Sequence, residues 1–423
     1  MSITILSQPS TYLASAGNDS TFTVSGSNAL APNVFDYQYI ANVLINGVVS
    51  TTLKVFPDTV YNYGVFNMRN IVSNFVSYNF PYTDTTASIF QTASNSYCQV
   101  QLQFGEQYTA GATFSQSLNL TSSNTFAYLN SSLTMVDQIN TNLSTYQVTS
   151  ATSSAVNFLS TFSGSSYTYN NLRNHLHFYI SSSAATYLSV QTFDSNNNQL
   201  GSYTIQNPYS GSGVYSIATG NPILSQLVSG SVGLNGQYVV QLGNTSMFNS
   251  SAVSYNVGLV NSSQAPLTRT KNYIIGDNTG RWQNYITNVY FLNDRGGFEA
   301  YQMNKKNEQS INKTVSTYKK QPGKLQANGQ FVFNTYDQQT LPYFTELENE
   351  MECHTNWLSN VECLYLIRNL FSSPVIYLED VNGVLQAALL TDDRYPIKNS
   401  TLNKGNQATF KFKYSGQDYR QAL

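Results

Sequence analysis

The feature that most restricts the fold of this sequence is a series of short segments in which apolar and polar residues alternate. In YCQVQLQF (97–104) every second side chain is apolar, and three glutamines and a tyrosine lie between. Side chains of a strand point alternately to two faces, so this pattern predicts a half-buried β-strand. Similar short runs separated by Ser, Asn and Gly are LHFYIS, YLSVQTF, GQYVVQL and SYNVGLV. Several such strands predict a mainly β protein of β-sandwich or jelly-roll type.

The composition indicates a folded chain despite its polar character. Only 10% of the 423 residues are charged, whereas aromatic residues reach 13%, with 32 Tyr and 23 Phe. Disordered chains show the opposite balance, and a chain of this length favours more than one domain. A formal net charge of −2 gives no electrostatic reason to expect nucleic acid as a specific partner. No apolar run is long enough for a transmembrane span, and the N-terminus lacks a signal-peptide pattern.

Charge is distributed unevenly and suggests the domain boundaries. Residues 1–264 carry seven acids and three bases, whereas residues 265–423 carry fifteen acids and seventeen bases. We predict an N-terminal β unit (1–84), a charge-poor β-sandwich inserted into it (85–264), and a continuation of the N-terminal unit (265–320). The remaining residues, 321–423, are predicted to form an α+β element.

Turn and helix signals support this outline. Asn46-Gly47 between two strand patterns predicts a tight hairpin. The helical spacing of Val65, Met68, Ile71, Val72 and Phe75 predicts a short amphipathic helix.

The C-terminal element has clear helix and strand signals. Ser359 and Glu362 form a capping-box pattern, with Trp357 or Leu358 able to pack on the first turn. The predicted apolar helix face is Leu364, Ile367 and Leu370. A hairpin follows in VIYLEDVNGVLQAALL, and ATFKFKYS predicts a last strand.

The segment VYFLNDRGGFEAYQMNKK (289–306) predicts a strand, a turn and a second strand. Gly296 and Gly297 suit a tight turn, and charged residues appear abruptly here after the charge-poor region. The simplest interpretation is an ordinary surface hairpin. Aromatic and arginine side chains with charges beside them are also typical of contacts between subunits. The predicted interface residues are Arg281, Trp282, Tyr285, Tyr290, Arg295, Phe298, Glu299 and Tyr301. For Trp282 and Phe298, burial in the core is the alternative.

Motifs of catalysis are not found in the sequence. GxSxG, P-loop and HExxH patterns do not occur, and only His175, His177 and His354 supply imidazoles. We therefore predict that the protein is not an enzyme. A pair of carboxylates brought together by the fold, as in glycoside hydrolysis, is the alternative that a sequence leaves open.

Two groups of residues have spacing that a metal site could use. His175 and His177 would lie on the same face of a strand, and Cys353-His354 lies ten residues before Cys363. Neither group has a full ligand set. Packing explains the histidines and buried, inert thiols explain the cysteines, so we predict no metal and no cofactor.

Several phrases resemble structural proteins of tailed bacteriophages, particularly crAss-like and other phages of Bacteroidetes. The similar segments are QPSTYLASAGNDSTFTVSGS near the start, YFLNDRGGFEAYQMNKKNEQSINKTVSTYKK, and NEMECHTNWLSNVECLYLIRNLFSSPVIYLED with ALLTDDRYPIK. They cover roughly residues 1–80 and 270–423, and they are strand and turn phrases rather than catalytic signatures.

This resemblance implies a virion protein of the tail or neck. The expected partners are copies of itself, in a ring, collar or adaptor, and other tail, neck or capsid proteins. The central β domain would project outward. The alternative is a tail protein that binds a receptor or glycan on the host surface, with tyrosines as sugar-stacking residues.

Overall fold

The protein is mainly β and divides into two compact units. The structure, a computed structural model, describes residues 2–81, 89–153, 155–183, 185–225, 239–241, 248, 250–276, 286–392, 394, 407–416 and 418–419. Unit 1 comprises Met1–Asn278 and Leu292–Ala300, and unit 2 comprises Thr279–Phe291 and Tyr301–Leu423. The strands form several sheets and the helices are short, so the predicted mainly β class is confirmed.

The first half of unit 1 is a sandwich of two sheets. Its strands are β1 (Ile3–Ser7), β2 (Leu13–Ser15), β3 (Thr21–Gly26), β4 (Val34–Ile45), β5 (Val48–Val55), β6 (Gly64–Asn67), β8 (Tyr97–Ala110), β9 (Thr113–Ser122) and β10 (Phe126–Leu129). Strand β7 (Phe90–Thr92) lies between β6 and β8 in sequence but pairs with a strand of the second half. One sheet has the order β1-β3-β6, and the other has the order β2-β10-β8-β4-β5 with β9 beside β8. Both contribute to one core, which includes Phe22, Tyr39, Phe66 and Phe104.

Local sequence explains these strands. In β8 the apolar residues Cys98, Val100, Leu102 and Phe104 are buried and alternate with partly exposed residues, as predicted. Asn46 and Gly47 both have positive φ (50° and 83°) and join β4 to β5 in a two-residue turn. The predicted helix is confined to a single turn, α1 (Arg69–Val72), because Val65 belongs to β6.

The second half of unit 1 is another pair of sheets around one core. Its elements are α2 (Met135–Asn140), β11 (Gln147–Val148), β12 (Ser166–Thr168), β13 (His175–Ile180), β14 (Tyr187–Phe193), β15 (Gln199–Gln206), β16 (Gly213–Ala218), α3 (Asn221–Leu224), β17 (Val239–Gln241), β18 (Ser254–Val260) and β19 (Lys271–Ile275). The sheet orders are β11-β13-β16-β7 and β12-β19-β18-β14-β15-β17. Phe178, Ile217, Val190 and Tyr255 pack together from the two sheets.

These pairings replace the predicted domain boundaries. β4 pairs with β8 from Val34 to Ile45, so strands on both sides of residue 84 form one sheet. β19 pairs with β18 and β12, inside the region predicted to be an insertion. Residues 265–320 are therefore not one continuation of an N-terminal unit, because they divide between unit 1 and unit 2. Composition failed here because strands that are distant in sequence share hydrogen bonds whatever their charge content.

Unit 2 is built around one large sheet and a helix. Its elements are β20 (Thr287–Leu292), β21 (Phe298–Met303), β22 (Glu308–Lys319), β23 (Lys324–Leu325), β24 (Phe331–Val332), β25 (Thr340–His354), α4 (Asn360–Ser372), β26 (Ile376–Glu379), β27 (Leu385–Leu390), β28 (Thr409–Tyr414) and β29 (Asp418–Tyr419). The sheet order is β21-β20-β26-β27-β28-β25-β22, with β29 beside β25. The predicted C-terminal hairpin and last strand are therefore present.

Helix α4 is fixed by its cap and its apolar face. The side chain of Ser359 accepts from the backbone N–H of Glu362, whose carboxylate accepts from the backbone N–H of Ser359, so the predicted capping box is confirmed. Leu358 is buried, whereas Trp357 is 68% exposed. The buried face is Cys363, Leu366, Ile367 and Leu370. Leu364, predicted to lie on that face, is only partly buried, because the helix is rotated by about one residue from the expected orientation.

Candidate functional site

The turn of the predicted surface hairpin is an integral part of unit 1. Asn293 Oδ1 accepts from the backbone N–H groups of Arg295 (3.0 Å) and Gly297 (2.9 Å). Its Nδ2 donates to the carbonyl oxygen of Leu159 (2.9 Å). Gly296 has a φ of +83°, and a Cβ there would lie 2.4 Å from the carbonyl oxygen of Asn130. The turn is therefore fixed by hydrogen bonds and a close backbone approach that few other residues permit.

The charged side chains of this turn also contact other groups of unit 1. Glu299 Oε1 accepts from Asn293 Nδ2 (2.7 Å) and from the backbone N–H of Thr161 (2.8 Å). The guanidinium of Arg295 lies 5.1 Å from the centre of the Tyr146 ring. Burial raises the pKa of Asp294, and the neighbouring Arg295 opposes that change. These contacts explain why the chain becomes charged here: a buried polar turn needs charged and polar partners.

A buried lysine lies in the same unit. Lys271 Nζ donates to the carbonyl oxygens of Phe162 (2.5 Å) and Gly164 (2.7 Å). Its pKa is lowered to about 8 by burial, which the negative charge of Glu299 partly offsets. The ammonium group thus cross-links a loop to β19, and we assign it a structural role.

The five predicted interface residues that the structure describes are buried or partly buried: Tyr290, Arg295, Phe298, Glu299 and Tyr301. Tyr290 and Phe298 are 1% and 3% exposed, so the core alternative holds for Phe298 and extends to Tyr290. The Tyr290 hydroxyl donates to buried Glu379 (2.5 Å). Tyr301 is partly buried against the core of unit 2. Arg281, Trp282 and Tyr285 lie outside the described residues. The interface prediction remains untested for these three residues.

In unit 2, β22 and β25 form a long, exposed antiparallel ribbon that sequence analysis did not predict. We call residues 308–352 the arm: β22 and most of β25, joined by residues 320–339. Eleven of the twelve residues of β22 are exposed. Met351 is the arm residue that packs against the hydrophobic core of unit 2. The arm is paired along its length, from Glu308–Glu352 to Lys319–Thr340. Its base is also part of the large sheet, because β25 pairs there with β28 and β29.

Large apolar side chains are exposed along the arm. Ile311 is 63% exposed, Tyr343 66% and Phe344 51%. Others are Val315, Tyr318, Leu325, Phe331, Val332, Phe333 and Tyr336. Single exposed apolar residues are normal on a surface, whereas a series of them along one ribbon is typical of surfaces that contact another molecule.

One face of the arm is acidic. Glu346, Glu348, Glu350 and Glu352 alternate along β25 and so point to the same face. Lys413 on the neighbouring strand β28 forms an ion pair with Glu348, and Lys411 lies 3.4 Å from Glu352. The alternation in TELENEMECH was the signal that could have predicted this strand. It is a period-two pattern of charge rather than of hydrophobicity.

Two of the three imidazoles and all three thiols are buried, whereas His354 is partly buried. His175 and His177 lie on one face of β13, and burial lowers the pKa of His177 to about 4. Burial also raises the pKa of Cys98 and of Cys353 to about 12, and Cys363 is buried too. These groups are neutral near pH 7, as the packing interpretation requires. Among the described residues, no group of three His, Cys, Asp or Glu side chains is placed to hold a metal ion.

A polar cleft of about 540 Å³ lies in unit 1 between β2, β3 and helix α2. Its lining is rich in hydroxyl and amide groups, including Ser10, Thr11, Asn18, Gln138 and Asn142. Asn18 is held in place because its Nδ2 donates to the Leu133 carbonyl (2.7 Å). Such a lining suits a small hydroxylated ligand.

In the ranges that the structure describes, no helix is both long and apolar enough to cross a bilayer. No protein-family model matches the sequence, and no curated protein matches it.

Proposed function

We propose that this protein is a structural subunit of the virion of a tailed bacteriophage, located in the tail or neck and assembled with copies of itself and with other virion proteins. Two arguments support the proposal. The strand and turn phrases resemble such proteins, and the arm offers an exposed ribbon for association.

The exposure of the arm carries the assembly part of the proposal. Beyond Glu346 the arm is a ribbon of two strands, which is marginally stable alone, and its exposed apolar side chains would be costly to maintain without a use. Contact with a neighbouring subunit would bury Tyr343 and Phe344 and align the backbone of the arm. An acidic face beside that apolar surface would help to select the partner.

The charge-poor sandwiches of unit 1 fit the proposed projecting role. Residues 85–264 carry only Glu106, Asp137, Arg173 and Asp194 as charged residues. Low charge reduces repulsion between neighbouring copies in an assembly. The proposal involves no catalysis, and the neutral, buried histidines and thiols support that part of it.

Purified phage particles from a host that produces this protein test the proposal. An antibody against the full chain should label the neck or tail in electron micrographs, and mass spectrometry should detect the chain at several copies per particle. A lysate of the same host without phage is the control. A chain that is present in infected cells but missing from particles that retain their tails would contradict the proposal.

Binding of a host glycan is the second candidate function, favoured by the polar cleft of unit 1. A glycan array probed with the full chain would detect it. Replacing Ser10 by Trp should fill the cleft and abolish binding, whereas Trp at Ser122, an exposed residue of β9, should not. Binding that survives both changes would exclude the cleft as the site.

A further inference from the structure

We propose that β22 pairs with β22 of a second copy of this chain, antiparallel and centred on Thr314. The inference rests on the proposed assembly role and names the partner of the arm. The two copies would form one continuous sheet across a two-fold axis perpendicular to it.

The first observation that supports this pairing is that β22 is an edge strand. β22 is the last strand in the sheet order, so in the part of the chain that the structure describes no strand lies beyond it. Alternate residues of such a strand direct their N–H and C=O groups away from the sheet.

Natural edge strands are commonly protected by proline, by a bulge, by being short, or by charged side chains, of which lysine is the most common. β22 is twelve residues long and contains no proline. The bulge in its pairing adds Tyr343 to β25 and leaves β22 regular. Lys313 is the charged residue in the middle of the strand, so the edge is long, regular and lightly protected.

Symmetry restricts the ways in which two copies can pair. A two-fold axis perpendicular to the sheet keeps each face of β22 on the same side, so opposite residues must have numbers of the same parity. Two registers then pair eleven residues of the strand: residues 308–318 about Lys313, or residues 309–319 about Thr314.

Charge decides between these two registers. Centring on Lys313 places the two Lys313 ammonium groups directly opposite each other, which is destabilising. Centring on Thr314 moves them to diagonal positions, places Lys313 opposite Val315, and leaves no two like charges directly opposite.

The register centred on Thr314 also creates favourable pairs. At each end Glu308 of one copy faces Lys320 of the other, and Ile311 lies diagonal to Val315. The strand is therefore self-complementary, which is the property that an interface between identical copies requires. This self-complementarity is the reason for choosing a second copy over a strand of another protein.

A charge placed on the two-fold axis tests the register. Thr314→Lys puts a lysine opposite Glu346 within its own chain but opposite another lysine in the dimer. Ser310→Lys is the matched control, because position 310 lies opposite Glu350 within the chain and opposite Tyr318 in the dimer. Analytical ultracentrifugation of the full chain should show a wild-type dimer. Its dissociation constant should rise at least tenfold in Thr314→Lys and stay within about twofold in Ser310→Lys.

Cross-linking provides a second measurement that does not depend on affinity. The three native cysteines are buried, so a cysteine introduced at position 314 can be oxidised selectively. Thr314→Cys should form a covalent dimer under mild oxidation, whereas Ser310→Cys should not, because the two copies of residue 310 are eight positions out of register.

Three results would overturn the inference: a wild-type chain that stays monomeric at 100 μM or above, equal effects of the two lysine variants, or equal cross-linking at positions 310 and 314. A monomeric chain that is nevertheless found in phage tails would overturn this inference alone. A dimer that is missing from intact particles would overturn the proposed function and leave the pairing of β22 in place.

Discussion

At the scale of single residues, Asn293 stabilises more of the structure than its position in a polar turn sequence suggests. Its side chain makes four hydrogen bonds that close the turn and connect it to Leu159 and Glu299. Asn293→Ala should lower the free energy of unfolding by about 2–4 kcal/mol, because buried partners would lose their hydrogen bonds.

Urea denaturation of the full chain would measure that change. Asn382→Ala is the control: this asparagine lies in the exposed turn between β26 and β27, and its replacement should change stability by no more than about 0.5 kcal/mol. Equal effects at the two positions would show that the Asn293 network is not important for stability.

The buried histidines make stability depend on pH. His177 is 2% exposed, and its pKa is lowered from 6.5 to about 4. The unfolded chain therefore binds a proton below pH 6.5 that the folded chain does not bind until about pH 4. The free energy of unfolding should fall as pH decreases through this window, by about 3 kcal/mol from His177.

Denaturation curves at several pH values would test this dependence. His177→Leu should reduce the slope without abolishing it, since burial and the charge of His177 also lower the pKa of His175. Asn382→Ala, which changes an exposed residue without a titratable side chain, is the control and should leave the slope in place. An unchanged slope in His177→Leu would contradict the prediction.

At the scale of elements, the arm should be separable from the fold of unit 2. Ile311 and Asn349 face each other across β22 and β25, so an Asn-Gly turn can replace residues 312–348. We expect the shortened chain to keep its circular dichroism spectrum and a melting temperature within a few degrees, because Met351 is retained. It should lose self-association.

The matched control replaces only the tip, residues 321–338, by the same turn. That variant keeps β22 and should associate like the wild type. If the shortened arm associates normally, or if unit 2 unfolds without residues 312–348, the arm is not the separable association element that its exposure indicates.

Helix α4 gives a prediction about the core of unit 2. Leu370 is 1% exposed and packs with Phe410 and Leu378. Leu370→Ala should lower stability by about 2–5 kcal/mol, and hydrogen exchange in β26 and β28 should become faster. The exposed Val361→Ala, on the same helix, should have little effect on exchange. Equal exchange in the two variants would argue against a core role for Leu370.

At the scale of the whole molecule, local sequence patterns predicted individual strands, turns and helix caps better than they predicted which strands pair with each other. The alternation in β8, the Asn46-Gly47 turn and the Ser359 capping box depend on neighbouring residues, and all were predictable. Pairing of β4 with β8 joins residues about 60 positions apart, and no short-range signal specifies it. The domain boundaries drawn from charge failed for this reason.

The predicted interface residues and the arm show the same limit of prediction from local sequence. Phe298 and Tyr290 look like interface anchors in sequence because aromatic residues beside charges are typical of both cores and contacts. Only their burial distinguishes the two. The arm was missed because its strands are polar, so a search for apolar alternation passed over the glutamates of β25.

Charged residues are more concentrated in unit 2 than in unit 1. Unit 1 contains ten acids and six bases, and unit 2 contains twelve acids and fourteen bases in fewer than half as many residues. If the proposed assembly forms, we expect electrostatic selection of partners to act mainly through unit 2, where the arm and its acidic face lie.

The assignment of Leu292–Ala300 to unit 1 has a consequence for biosynthesis. A ribosome completes residues up to 278 before it makes the first strand of unit 2, yet the turn that supplies Asn293 and Glu299 emerges only afterwards. At ordinary bacterial rates this delay is about one to four seconds. During this delay, Thr161 and the Leu159 carbonyl lack these hydrogen-bond partners. Unit 1 can therefore complete its hydrogen bonds only after part of unit 2 has left the ribosome. An expression fragment that stops at residue 278 would lack the same turn permanently.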